Sequence, residues 1–227
     1  NLDVGLHGQP VVFCLDRAGV TGDDGPSHHG LLDMVLLSKV PGMTIFAPSS
    51  YQELQQMLHD ALEITSGPVA LRWAKTACPH VEESEVGSGL RARKVRAGEE
   101  VCLVGVGKML AACTEAAEAL EAEGISCTVW DPRVVHPLDP AMVDDAAGHR
   151  VVVSAEDGLR DGGIGAALAD QIADRALALP AAERPVVRVL GIPTRFLPHA
   201  KPDAILAGLG LDAEGIAAEV RRTLAAG

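Results

Sequence analysis

Seven short apolar runs punctuate this chain, at residues 11–15, 44–47, 69–73, 101–106, 126–130, 151–154 and 186–190. Between most of them lies a stretch with helical periodicity. Strands alternating with helices of about 10–15 residues need crossover connections, which implies mainly parallel sheets covered on both faces. Leu31–Val40 can form a helix that stops before Pro41-Gly42, and Ser50 with Glu53 makes a capping box for the next. In that second helix Leu54, Met57, Leu58, Ala61 and Leu62 recur with the spacing of a buried stripe. Leu110, Cys113, Ala117 and Leu120 mark another helix face, and Pro137–Ala147 and Ile164–Leu179 read as helical. Asp212 caps a last helix whose apolar side is Ile216, Val220 and Leu224. From Thr76 to Gly98 the periodicity dissolves into Pro, Gly, Ser and charge, the signature of a linker. The expected fold class is α/β, two three-layer domains with mainly parallel sheets, over residues 1–78 and 98–227 with a linker at 79–97.

Composition narrows what such a fold can serve. Only 3% of residues are aromatic, so Val, Leu, Ile and Ala must build the core. With 19 Lys and Arg against 31 Asp and Glu, the net charge of −12 leaves no basic stripe for nucleic acid. No apolar run reaches the ~18 residues of a membrane span. The five cysteines form no C-x-x-C pair, and four lie in apolar runs. They read as small buried hydrophobes of a reduced, cytoplasmic protein, with Cys14 in the core and not a nucleophile. The chain opens Asn1-Leu2-Asp3-Val4 without an initiator Met, and is expected to be a piece of a longer polypeptide or a processed product.

Ligands of open parallel sheets bind beyond the carboxyl ends of the strands. The segment DRAGVTGDDGPSHHG, residues 16–30, follows the first strand into that region. It gathers Asp16, Arg17, Asp23, Asp24, His28 and His29 among glycines that let the backbone approach a ligand closely. Arg17 can fork onto a carboxylate or phosphate. Asp24 and His28, four residues apart, can share a ligand hydroxyl and move a proton. The same composition also suits a mobile acidic loop with an exposed histidine pair. A metal site built from Asp23, Asp24, His28 and His29 alone is disfavoured, since adjacent histidines point apart and no further ligand cluster is evident.

The run FCLDRAGVTGDDGPSHHG resembles the pyrimidine-binding domain of the 1-deoxy-D-xylulose-5-phosphate synthase family, whose pattern is close to DRAG-x-x-G-x-DG-x-[TS]-H-x-G. The likeness continues through PGMTIFAPSS, SGPVALRW, VWDPRVVHPLD and LAGLGLDAEGI, and so covers nearly the whole chain. It implies an enzyme that uses thiamine diphosphate and Mg2+ to join pyruvate to glyceraldehyde 3-phosphate with decarboxylation, feeding isoprenoid precursor, thiamine and pyridoxal biosynthesis. By the same likeness residues 1–78 are the later part of a transketolase-type pyrimidine-binding domain, and 98–227 are a transketolase C-terminal domain that forms a homodimer. Arg17 falls on an arginine that holds the acceptor phosphate, and Asp24 and His28 fall on groups that contact the acceptor hydroxyl and carbonyl. Lys75 falls where many members carry a second phosphate-binding arginine, in a pattern that is usually R-[YF]-P-[RK]-G. Here the stretch is Arg72-Trp73-Ala74-Lys75-Thr76, which keeps the charge but loses the fork. A plain surface lysine fits that position as well. His29 replaces a residue that is often Gln or Asn and receives no role.

The family's thiamine-activating Glu and its diphosphate and magnesium signature would all precede Asn1, so no cofactor-binding or metal-binding residue is assigned. On this reading an N-terminal diphosphate-binding portion, in the same chain or a separate subunit, must complete the enzyme. Two rivals stay open: half of another thiamine enzyme, such as a transketolase or a 2-oxo-acid dehydrogenase β subunit, and a non-catalytic dimerising module. Of the remaining signals, Gly162-Gly163-Ile164-Gly165 reads as close helix packing, because the full dinucleotide spacing is missing. Glu156-Asp157 reads as an acidic pair at a helix N-terminus. His136 and His199, both beside prolines, read as structural.

Overall fold

A computed structural model describes residues 1–226. Its strands fall into two sheets. The first holds β1 (Val12–Leu15), β2 (Thr44–Phe46), β3 (Val69–Arg72) and β7 (Val134–His136), in the order β1-β3-β2-β7. Pairing is parallel from β1 through β3 to β2, and only β7 runs antiparallel. The second sheet is β4 (Arg93–Arg96), β6 (Cys127–Asp131), β5 (Val101–Gly105), β8 (Val151–Leu159) and β9 (Val186–Ile192), in that order, with only β4 antiparallel.

Side-chain alternation along the strands explains why helices cover both faces. Val101, Leu103, Val151 and Val153 point into one core shared with α3 (Met109–Glu121) and α7 (Ala213–Ala226). Cys102, Val104 and Val152 point into a second core with α4 (Pro140–Ala147) and α5 (Ile164–Ala176). That second core runs on into the first sheet through Ile45 and Ala70, with Met34 from the helix at Asp33–Leu37 beside them, so the two sheets share one apolar interior. A third cluster packs α2 (Tyr51–Glu63) on the first sheet through Phe46, Met57, Ala61 and Leu71. The mainly parallel α/β architecture matches the expectation from the alternation.

Local departures have physical causes. Ser50 Oγ accepts from Glu53 N at 3.1 Å, but the Glu53 carboxylate does not return to complete the box. It is buried and bound by Arg133 Nε at 2.7 Å, which turns α2 so that Glu53, Met57 and Ala61 face inward. Leu58 and Leu62, expected in the stripe, are therefore exposed. Cys14, expected in the core, is exposed as well, because β1 is the outermost strand of its sheet. Cys102, Cys113 and Cys127 are buried as expected, and burial pushes the Cys102 and Cys113 thiols far above their ordinary range. Within the aperiodic segment, Arg93–Arg96 forms the edge strand β4. Its basic side chains suit a position with one free edge, and they hide the strand signal from apolar periodicity.

Candidate active site

β1 and β3 are parallel neighbours, so the segments that leave their carboxyl ends emerge side by side. The first is the loop at residues 16–30 and the second carries Lys75. Ala18 N donates to Trp73 O at 2.9 Å, which ties the two exits together. Gly19 and Gly30 exchange backbone hydrogen bonds of 2.8 and 2.9 Å and close the neck of the loop. At Gly22, with φ +79°, a Cβ would overlap the Pro202 ring, so the loop lies directly on the start of α6 (Pro202–Gly208).

The four residues singled out from sequence occupy one patch at this edge. Lys75 Nζ donates to Asp24 Oδ2 at 2.6 Å, bridging 51 residues of sequence. That hydrogen bond holds the Asp24 carboxyl below its ordinary value, with the charges of Arg17 and His28 acting in the same direction. Arg17 sits at φ 58° with its guanidinium half exposed, 3.8 Å from Asp16. His28 is exposed, and its Nδ1 lies 3.0 Å from Ser27 Oγ. One ionised carboxylate is therefore paired with Lys75 and lies within the electrostatic reach of Arg17 and His28, an arrangement able to take a phosphate and a neighbouring hydroxyl together.

His29, given no role from sequence, braces the loop. Its Nδ1 accepts from Thr21 N at 3.1 Å, which places the proton of the neutral ring on Nε2. It also lines a cleft of about 520 Å³ with Ser27, Leu31, Leu159, Arg195 and Phe196. His199 is exposed and faces Gly25, so the segment at 193–202 forms a second wall beside the loop. Three prolines and no period gave that segment no signal in the sequence.

Beneath the loop lies a buried ionic cluster that sequence reasoning missed. Arg72 Nε donates to Asp33 Oδ2 at 2.8 Å, and its Nη1 donates to Asp157 Oδ1 at 2.7 Å. Burial alone would lower the Arg72 pKa, but the Asp157 and Asp33 carboxylates outweigh it and raise it. Asp157 is thus not half of a helix-terminal pair as expected. Glu156 is: its carboxylate accepts from Ile164 N at 3.1 Å and Gly165 N at 2.8 Å, capping α5. A Cβ at Gly163 or Gly165 would overlap Glu156 or Ser154, so this glycine cluster serves close packing.

Burial pushes the Glu156 carboxyl up to about 7, against those two N–H donors. Its folded pKa exceeds the unfolded value of 4.5, so the stability it contributes is complete below about pH 4.5 and is lost as pH rises through about 7. The stability advantage of the native protein over Glu156→Gln should therefore shrink between pH 5 and 8, by up to about 3 kcal/mol. Urea unfolding of both proteins at the two pH values checks this, and an advantage that grows with pH would refute it.

Residues 90–216, more than half of the chain, match the family model for the transketolase C-terminal domain. The chain belongs to the transketolase family. Residues 2–80 of this transketolase-family chain also match the model for the transketolase pyrimidine binding domain. It is 43% identical over 229 residues to a 1-deoxy-D-xylulose-5-phosphate synthase of Thermobifida fusca, covering 99% of this chain and 35% of that protein. It is also 43% identical over 225 residues to 1-deoxy-D-xylulose-5-phosphate synthase 1 of Streptomyces coelicolor, covering 99% and 33%. The chain thus spans about one third of the length of these curated relatives. Among solved structures, a split gene transketolase described as an inactive beta4 tetramer superposes with a TM-score of 0.82 at 29% identity, covering 95% of this chain and 67% of that one. A transketolase mutant from Pichia stipitis, at 17% identity and TM-score 0.73, shares the fold.

The described residues do not by themselves fit the coenzyme that the family implies. No group of three or more His, Cys, Asp or Glu among them is placed to hold a metal ion. The buried carboxylates Glu53, Asp131, Asp139, Glu156 and Asp157 are each bound by an arginine, a hydroxyl or a helix N-terminus. None is a free acid facing a cleft, as activation of an aminopyrimidine would require. No helix among them is long and apolar enough to cross a membrane.

Proposed function

We propose that this chain is the acceptor-binding and C-terminal part of a 1-deoxy-D-xylulose-5-phosphate synthase, which joins pyruvate to glyceraldehyde 3-phosphate with loss of carbon dioxide. The observation that carries the reading is the patch of Arg17, Asp24, His28 and Lys75 at the carboxyl edge of β1 and β3. It is supported by the identity to synthases along 99% of the chain. Thiamine diphosphate and Mg2+ are held by sequence outside these residues, on an N-terminal diphosphate-binding and early pyrimidine-domain portion in the same chain or a separate subunit. Residues 1–78 supply the later pyrimidine-binding part, and 98–227 supply a C-terminal domain through which two copies pair. The enzyme works in the cytoplasm, in isoprenoid precursor synthesis.

In this reading Arg17 and Lys75 bind the acceptor phosphate, Arg17 as a fork and Lys75 as a point charge. Phosphate competes with Asp24 for Lys75, so acceptor binding loosens the 2.6 Å ion pair and frees the carboxylate to meet the acceptor hydroxyl. His28 stands on the same rim. It donates to the acceptor carbonyl oxygen and gives up a proton as that oxygen gains charge.

A second reading, half of a transketolase encoded by split genes, is favoured by one observation. The chain covers 67% of the split gene transketolase chain but only about one third of the synthases. Assay of the complete enzyme with thiamine diphosphate, Mg2+ and glyceraldehyde 3-phosphate separates the two. Turnover with pyruvate as donor is the expected result, and turnover with a ketose phosphate but not with pyruvate establishes the second reading instead.

A further inference from the structure

The cluster beneath the loop joins three segments that are remote in sequence. Arg72 ends β3, three residues before Lys75. Asp33 opens the short helix α1 (Asp33–Leu37), three residues after Gly30, where the loop ends. Asp157 belongs to β8 of the second sheet and is fully buried. Its Oδ1 takes the Arg72 hydrogen bond. Its Oδ2 accepts none and lies directly under Gly19, where a Cβ would overlap it. Gly19 has φ +76° and pairs with Gly30, so it is one half of the loop's neck.

A single carboxylate of the second sheet thus reaches the loop by two routes, by direct contact at Gly19 in the neck and through Arg72 at Asp33, just beyond it. Packing alone does not call for this. Apolar side chains of the same volume would fill the space without three orphaned polar atoms, Arg72 Nη2, Asp33 Oδ1 and Asp157 Oδ2. We infer that Asp157 is a positioning residue for acceptor recognition: through Gly19 and Arg72 it sets the height of the loop carrying Arg17, Asp24 and His28 relative to Lys75. The inference rests on the reading of that loop as the acceptor site. It gives the second sheet a part in substrate selection beyond pairing of subunits.

The test is Asp157→Asn in the complete enzyme, which keeps the shape of the side chain and removes its charge. The amide must turn its NH2 either toward Arg72 or under the Gly19 Cα, where it finds no acceptor, so the neck shifts. Misplacement of binding groups by about 1 Å costs on the order of 100-fold in rate. The expected result is an acceptor KM raised about ten-fold or more, with the pyruvate KM changed less than about two-fold. A merely structural role lowers the active fraction, and hence kcat, and leaves both KM values in place. Arg72→Lys keeps the charge but cannot fork between Asp33 and Asp157; it loosens the same tie and should raise the acceptor KM in the same way, and it decides the matter if Asp157→Asn does not fold. Unchanged acceptor KM in these variants, against a wild type that saturates with glyceraldehyde 3-phosphate, overturns the inference alone. A wild type that saturates with no phosphorylated aldehyde overturns the acceptor reading and the inference with it.

Discussion

Replacing Arg133 by Ala is expected to destabilise the protein by about 3–5 kcal/mol, the cost of leaving a buried charge without its partner. Arg133 is fully buried and sits between β6 and β7 at φ 55°. Its Nε donates to Glu53 at 2.7 Å, and its Nη1 donates to the carbonyls of Gly89 and Arg91 at 3.0 and 2.9 Å. The segment at 87–91 wraps the guanidinium so closely that a Cβ at Gly87 would overlap it. Loss of Arg133 leaves Glu53 with only the Gly87 N–H at 2.7 Å and a looser contact to Arg93 at 3.9 Å, beside Asp131, whose carboxyl burial already pushes up to about 6. It also frees two carbonyls and the segment they anchor. Arg133→Lys should recover less than half of the loss, because an ammonium cannot serve Glu53 and two carbonyls in the plane of a fork. Urea unfolding of the full-length protein measures both, and a loss below about 1 kcal/mol for Arg133→Ala would sink this account.

The second large effect concerns turnover. Asp24→Ala and His28→Ala in the complete enzyme should each lower acceptor kcat/KM by about 100- to 1,000-fold, the range of a positioned proton-transfer group. The two variants should differ in how the loss divides. Removing Asp24 releases Lys75 from its 2.6 Å ion pair, so acceptor phosphate meets a free ammonium and the loss falls mainly on kcat. Removing His28 leaves that pair intact and takes a hydrogen-bonding group from the rim, so KM rises as well. Steady-state kinetics with glyceraldehyde 3-phosphate varied at saturating pyruvate reads both quantities. A change under three-fold in either variant would remove that residue from the site.

The α/β class, the mainly parallel pairing of the strands, the face of α3 and the caps at Ser50 and Asp212 could all be read from the chain alone. Each depends on local periodicity, or on a side chain bonded to backbone a few residues away. The loop at 16–30 was legible too, because its polar residues and glycines lie together in sequence. What the sequence left open depends on contacts between distant segments. Leu58 and Leu62 face water because Glu53 turns inward to an arginine eighty residues away, and no local pattern encodes that pairing. Cys14 lies open because its strand is at a sheet edge, and an apolar strand reads the same at the edge as at the centre. Asp157 follows a capping glutamate in a row, and only the packing of β8 beneath Gly19 separates their tasks. Local order is set by neighbours along the chain, whereas the seat of the loop is set by a buried charge that arrives from the other sheet.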